Sequence, residues 1–220
     1  KLAVIIFLAG YIEKYHSRMC TVMYGFIIPL SIVMVVSGLV IVEPDFGTSA
    51  FIVVVSLTML IVGGARIRYV LFAALAVTPL LYKILFNEKS YKFARVMDFI
   101  NSLKDPSQAH YQVKQSLIAI GSGGLTGLGL GGSKQKLYFV PESSSDFVFT
   151  IISEEYGFLG VVVVISLFML FVWQGLKIIH RTKDVFGFLL GLGITVMFGL
   201  QAIINIAVVT GSIPQKGIPL

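Results

Sequence analysis

Six apolar stretches, at about 2–12, 22–42, 48–64, 69–86, 158–179 and 186–210, run through this chain, each set off by polar, glycine or charged residues. Crossing about 30 Å of hydrocarbon takes about 20 helical residues at about 1.5 Å each. Lipid offers no hydrogen bonds, so a backbone inside it must pair its own amides and carbonyls, and that predicts helices. The stretch 2–12 is too short to cross, while 48–64 crosses if Thr48, Ser49, Gly63 and Gly64 sit at the interfaces of a slightly thinned bilayer. The expectation is an all-α polytopic membrane protein with five full transmembrane helices and one partial. A water-soluble surface is excluded, because 56% of the residues are hydrophobic, 13% are charged and the mean hydropathy is +0.91.

The formal charge is +6, but the 17 Lys and Arg are scattered between apolar runs with no aromatic-interleaved basic patch, so nucleic acid is not an expected partner. Cys20 is the only cysteine, which rules out an intrachain disulfide, a CxxC pair and a cysteine metal cluster, and leaves it a packing role. The chain opens on Lys1 inside an apolar run and stops at Gly217-Ile218-Pro219-Leu220 directly after another, so truncation at both ends is expected. No signal-peptide pattern, repeat, low-complexity tract or linker is visible, and residues 1–220 read as a single membrane domain.

Short loops set orientation. Lys14 and Arg18 lie in the first, Arg66 and Arg68 in the third, and Lys177, Arg181 and Lys183 in or beside the fifth, which predicts a cytoplasmic location for these three. Glu43-Pro44-Asp45-Phe46-Gly47 carries no basic residue and falls on the opposite side. The remaining loop, 87–157, is long enough to escape the charge rule and is expected outside. Loops of more than about 15 residues are usually functional or disordered, and the apolar, glycine-rich run Ser116–Gly132 does not fit disorder. Such a run is expected to lie on the bilayer or fold back into the helices, its glycines allowing close backbone approach and positive φ.

The stretch from Lys134 to Phe147 then gathers cations, hydroxyls and two carboxylates beside a membrane entry. With Tyr111-Gln112, Gln115-Ser116-Leu117, Gly129-Leu130-Gly131, Glu154-Glu155-Tyr156-Gly157 and Gly211-Ser212-Ile213-Pro214, it resembles the signature set of the SEDS family (FtsW/RodA/SpoVE) of lipid-linked peptidoglycan glycosyltransferases. Glu43-Pro44-Asp45-Phe46-Gly47-Thr48 resembles the family's Gln-Pro-Asp-Leu-Gly-Thr motif, and Gly132-Ser133-Lys134-Gln135-Lys136 looks like the division-type, FtsW-like branch. The departures are Glu43 in place of Gln, Lys216 in place of Thr, and Tyr138 where some relatives have Glu; the Pro141, Glu142 and Asp146 core is intact. The resemblance implies the SEDS (GT-C-like) fold of about ten transmembrane helices, of which this fragment covers roughly the fourth to the ninth. It implies polymerisation of lipid II into glycan strands during septal wall synthesis, at the outer face of the bacterial inner membrane. It also implies a class B penicillin-binding protein as partner, with other division proteins and membrane lipid around it.

Such a reaction removes a proton from a sugar hydroxyl as it attacks an anomeric carbon whose leaving group is a lipid pyrophosphate. The resemblance places the catalytic carboxylate at Asp146. Lys136, Lys134 or Arg95 would neutralise the developing pyrophosphate charge, alone or with a divalent cation such as Mg or Mn held by acidic side chains. Glu142 is a loop-orienting or cation-binding group, and Asp45 is a candidate for the same outer cavity. Asp146 and Asp45 each have a plainer reading: Ser143-x-x-Asp146 ahead of Phe147–Ile152 is a helix-capping pattern, and a turn on Pro44 and Gly47 explains Asp45. For Asp146 the two roles are compatible.

A single helix from 146 to 179 would be about 50 Å long against about 30 Å of hydrocarbon, so it either projects outward or breaks near Gly157 and Gly160. Glu154 and Glu155 then sit at or above the interface, holding the loop rather than reacting. Gln201 and Asn205, four apart on the last span, are expected as interhelical glue. Three rival functions remain at this point: a lipid II flippase, an elongation-type polymerase, and a non-catalytic scaffold. Transport needs a polar route across the bilayer, yet the charged residues within the spans, Lys83 and Lys177, lie near ends where they snorkel.

Overall fold

The computed structural model describes residues 1–43, 45–72, 75, 97, 99–101, 111–133 and 147–213. Among them all regular structure is helical: α1 (Leu2–Lys14), a 3-10 turn (His16–Arg18), a π-helical turn (Met23–Ile27) leading into α2 (Ile28–Val42), α3 (Phe46–Val62), α4 (Tyr111–Gly123), α5 (Val148–Arg181) and α6 (Val185–Val209). Among the described residues three helices are long and apolar enough to cross a membrane, Met23–Val42, Val148–Arg181 and Val185–Val209, and Phe46–Val62 is a shorter apolar helix. The expected span at 69–86 lies mostly outside the described residues, although 67–72 are helical.

The chain divides into two compact units. The first holds residues Lys1–Leu80 and Phe171–Gly199, and the second Leu81–Leu170 and Leu200–Leu220. In the first unit α3 packs on α1 and α2. α1 buries Ile5, Leu8, Ala9 and Ile12 as one stripe, and α3 answers with Phe51, Ile52, Val55, Met59 and Leu60. α2 buries only Pro29, Val33 and Ser37, leaving Ile32, Met34, Val35, Leu39 and Val42 exposed. An apolar surface that wide outside the core is what a lipid solvent permits. Gly175 and Gly193 let helices approach closely: a Cβ on Gly193 would stand 2.5 Å from Ile5 Cγ2, and one on Gly175 would meet the Thr195 side chain. Beside that contact the Phe171 and Phe198 rings meet edge to face at 5.5 Å.

The π turn follows from one proline. Ile28 N–H bonds the Met23 carbonyl five residues back, so the next donor in this register would be residue 29, and Pro29 has no N–H. The Tyr24 carbonyl loses its helical partner, and Tyr11 Oη–H donates to it at 3.0 Å. A part-buried carbonyl is thereby paired, and α1 is tied to the start of α2.

His16, Gly63 and the link Thr182–Asp184 line one cavity of about 250 Å³, so the first, third and fifth loops meet at the same end of this unit. Around them cations lie over aromatic rings: Lys14 on Tyr15, Arg18 on Tyr24, Arg68 on Tyr69 and Lys177 on Trp173, all between 5.2 and 5.5 Å from the ring centroid. Cations among interfacial aromatics are the composition of a membrane boundary.

Candidate functional site

The second unit is organised around a helix that is interrupted. α5 departs from helical geometry at Gly157, with φ +64° and ψ −157°, a conformation essentially closed to residues that carry a Cβ. Of the two outcomes open in the sequence, breakage is the one found. In an unbroken helix the Glu154 and Glu155 carbonyls would accept from the amides of Phe158 and Leu159. The break orphans two carbonyls and two amides, and the glycine-rich segment supplies every partner. Leu128 N–H donates to the Glu154 carbonyl (3.0 Å) and Gly129 N–H to the Glu155 carbonyl (3.0 Å), while Phe158 N–H donates to the Gly124 carbonyl (2.9 Å) and Leu159 N–H to that of Leu125 (3.3 Å). The loop thus occupies the place of the missing helical turn.

Glycine makes this contact possible because the two backbones nearly touch. A Cβ at Gly123 would fall on the Ser153 carbonyl oxygen, and one at Gly127 on the Glu155 carbonyl oxygen. Side chains then complete the join. Glu155 Oε1 accepts from Gly131 N–H at 3.2 Å, and Glu154 Oε2 accepts from Ser133 Oγ–H at 2.5 Å. Both glutamates are buried, at 2% and 8% exposure, so these carboxylates hold the loop rather than face solvent.

Below the loop, α4 turns Val113, Ser116, Ala119 and Gly123 inward along one stripe. Ser116 Oγ–H donates to the Val209 carbonyl at 2.9 Å and lies 2.8 Å from Thr150 Oγ1. A hydroxyl has one proton, so Thr150 must be the donor in the second contact. This fully buried relay ties α4 to α5 and to the end of α6. Phe147, Phe149 and Val209 form the adjoining core, flanked by Ile120, Val161, Val164, Ile165 and Ile206. α6 ends where Gly211 takes φ +69°, with Ser212 N–H on the Ala207 carbonyl (2.8 Å) and Gly211 N–H on that of Val208 (3.0 Å). That paired closure is why the Gly211-Ser212-Ile213 motif stops the helix.

Asp146, Lys136, Glu142, Arg95 and Lys134 lie outside the described residues. All of these but Arg95 fall in the segment 134–146, which begins next to Ser133, bonded to Glu154, and ends next to Phe147, buried in the core. Both flanks of that segment therefore belong to the second unit. Among the described residues no three His, Cys, Asp or Glu side chains converge as metal ligands would.

Asp45 belongs to the first unit, where it caps α3: its Oδ1 accepts from Thr48 N–H at 2.9 Å. Partial burial pushes its carboxyl pKa up, but hydrogen bonds from the Thr48 side chain and from the Thr48 and Gly47 amides, together with the Lys1 charge, outweigh this and lower it. Lys1 is not among the residues expected from sequence, where only its place at the head of an apolar run marks it. Its ammonium lies 5.1 Å over the Phe51 ring, and the neighbouring cavity, lined also by Ser56, measures about 10 Å³. That volume admits about one water and no sugar.

Over residues 1–220 the chain matches the FtsW/RodA/SpoVE family, described as cell cycle protein. It is 36% identical over 220 residues to the probable peptidoglycan glycosyltransferase FtsW of Trichlorobacter lovleyi, covering all of this chain and 58% of that protein. Against the protein of the same name from Marinobacter nauticus it is 40% identical over 223 aligned residues, all of this chain and 56% of the relative. Stage V sporulation protein E of Bacillus subtilis is 37% identical over 220 residues, all of this chain and 60% of the relative. The chain thus spans less than two thirds of the length of these relatives. A solved chain from a peptidoglycan synthase complex superposes on the whole chain with a TM-score of 0.76 at 23% identity, the match covering 60% of that solved chain, which establishes a common fold. On these matches the chain belongs to the FtsW/RodA/SpoVE family of cell cycle proteins and is built as its all-α, multi-pass membrane fold.

Proposed function

We propose that the protein containing this chain is a peptidoglycan glycosyltransferase that polymerises lipid II into glycan strands for the division septum. Family membership over the whole of residues 1–220 carries this reading. It is supported by the anchoring of both flanks of segment 134–146, which gives the carboxylates and cations of that segment a fixed base. Catalytic groups need a scaffold that holds them in place, because misplacement by about 1 Å costs about 10²-fold in rate.

In this reading Asp146 takes the proton from the acceptor sugar hydroxyl as that oxygen attacks the donor's anomeric carbon. The bond to the lipid pyrophosphate breaks, and the configuration inverts in one displacement without a glycosyl-enzyme. Lys136, Lys134 or Arg95 neutralises the negative charge growing on the pyrophosphate, alone or with a divalent cation (Mg or Mn) held by acidic side chains. Glu142 orients the segment. Asp45, with Lys1 beside it, offers a second charged position on the outer side, where headgroup-linked sugars lie. The first, third and fifth loops with their cations are then cytoplasmic, in the inner membrane. A class B penicillin-binding protein cross-links the product, its single transmembrane helix packed on the apolar faces of α5 and α6.

The test is purified full-length protein with that partner, given labelled lipid II. Wild type is expected to make glycan chains, and Asp146→Asn to insert, bind the partner and make none. The amide keeps the side-chain shape and its capping oxygen but cannot take the proton, and loss of a general base costs about 10²–10⁴ in rate. Polymerisation by the Asn variant at the wild-type rate would remove Asp146 from the reaction.

A further inference from the structure

Bonds between the backbones explain how the glycine loop fits the break in α5, but they leave two buried carboxylates at the same junction to be accounted for. Burying an ionised side chain is costly unless it is paired, and an uncharged, well-packed side chain would serve a purely structural join. Here each carboxylate reaches past the break to the far end of the loop. Glu155 takes the amide of Gly131, and Glu154 takes the hydroxyl of Ser133, the last residue before the segment that carries Lys134, Lys136, Glu142 and Asp146. The four backbone bonds hold residues 124–129. A turn bond from Gly132 N–H to the Gly129 carbonyl (3.0 Å) closes the next step, and the carboxylates extend that grip over 131–133, where Gly131 and Gly132 would otherwise leave the exit direction loose.

We propose that Glu154 and Glu155 are positioning residues for the transfer reaction: as hydrogen-bond acceptors they fix the direction in which the chain leaves the glycine loop, and so the placement of the reacting segment. This rests on the glycosyltransferase reading above. What is required of Glu155 is an acceptor oxygen, not a proton to give or take.

Glutamine retains that acceptor oxygen and alanine does not, so the pair of substitutions at Glu155 separates the roles. In the full-length protein with its partner, Glu155→Ala is expected to lower kcat for lipid II by about 10- to 100-fold per folded molecule. KM should stay within a few-fold and the shape of the pH profile should not change, whereas Glu155→Gln keeps near wild-type kcat. Ser133→Ala, which removes one donor to Glu154, should show the same pattern more weakly. A second readout needs no activity: spin labels at Leu130, 78% exposed, and Ile118 on α4, 48% exposed, report the spread of loop positions. The distance distribution should be narrow in wild type and Glu155→Gln and broad in Glu155→Ala.

A narrow distribution in Glu155→Ala refutes the clamp whatever the enzyme does. Equal inactivity of Glu155→Gln and Glu155→Ala with one limb of the pH profile lost would make Glu155 a proton-transfer group and overturn the proposal. So would a loss of activity that merely tracks the loss of folded protein. If wild type makes no glycan, or Asp146→Asn is fully active, the functional reading fails, while the distance measurement still decides whether Glu155 holds the loop.

Discussion

Replacing Gly157 by alanine tests the central feature of the second unit, because the added methyl has nowhere to go. If the backbone stays at φ +64° and ψ −157°, the strain is about 1–3 kcal/mol. The new carbon would also overlap Gly127 N and stand 2.7 Å from the Leu125 carbonyl carbon. The alternative is for α5 to heal, with Phe158 and Leu159 returning their amides to the Glu154 and Glu155 carbonyls. That exchanges four loop bonds for two helical ones, a net loss of about 0.5–1.5 kcal/mol for each bond not replaced. The two bonds to carboxylates go with the loop, at about 1.5–3 kcal/mol each, so healing costs at least about 4 kcal/mol. The strained route is the cheaper, and with the overlap included a destabilisation of about 3 kcal/mol is expected. Hydrogen exchange followed by mass spectrometry on the full-length protein reads this directly. The amides of Leu128, Gly129, Phe158 and Leu159 should exchange about 150-fold faster in Gly157→Ala than in wild type. Gly38→Ala in α2 is the control, since nothing lies within 4 Å of its added Cβ. A helical Gly→Ala change there is expected to be neutral or stabilising by about 0.5–1 kcal/mol. Exchange in Gly157→Ala within about threefold of wild type would refute the reasoning, and with it the description of the loop as the missing turn.

Ser116→Ala removes a hydroxyl that serves both the Val209 carbonyl and Thr150, and should lower stability by about 1–3 kcal/mol; an unchanged thermal midpoint would count against the relay. The Asp45 carboxyl has its folded pKa lowered, so its stabilising contribution is present above the unfolded value of about 3.9 and is lost as pH falls through the lower folded value. Asp45→Asn keeps a capping oxygen, so acid unfolding curves of the two proteins should converge at low pH and separate above about pH 4; curves that stay parallel would exclude this role. Cys20 is exposed at the basic end of the first unit and should escape a membrane-impermeant thiol reagent on intact spheroplasts, whereas a cysteine introduced as Leu130→Cys is labelled. The reverse pattern would invert the orientation and move the proposed site to the cytoplasm.

The nature of the solvent made the membrane segments legible in the sequence. Hydrocarbon forces each crossing segment to satisfy its own backbone, so the run at 22–42 had to become the helical Met23–Val42, and 186–210 became Val185–Val209, within a residue at either end. The excess length of 146–179 against the bilayer was equally local, and it required either projection or a break. Charge at the short loops placed three of them together, as the shared cavity of His16, Gly63 and Thr182–Asp184 shows. Motif order was enough to name the family, because order survives where individual contacts are unknown.

Tertiary structure alone decided which groups answer one another across the chain. Nothing local to Gly157 says that the orphaned Glu154 and Glu155 carbonyls will be met by Leu128 and Gly129, or that Ser133 will reach Glu154. Tyr11 meets the carbonyl that Pro29 strands at Tyr24, and Ser116 meets Val209 across 93 residues of sequence. Lys1 bears on Asp45 only because α1 and α3 are packed together. Periodicity reports which face of a helix is apolar, but an orphaned carbonyl can be satisfied by any amide the fold brings within about 3 Å. That choice is made by packing, where glycines allow two backbones to touch, and so it is visible only once the helices are in place.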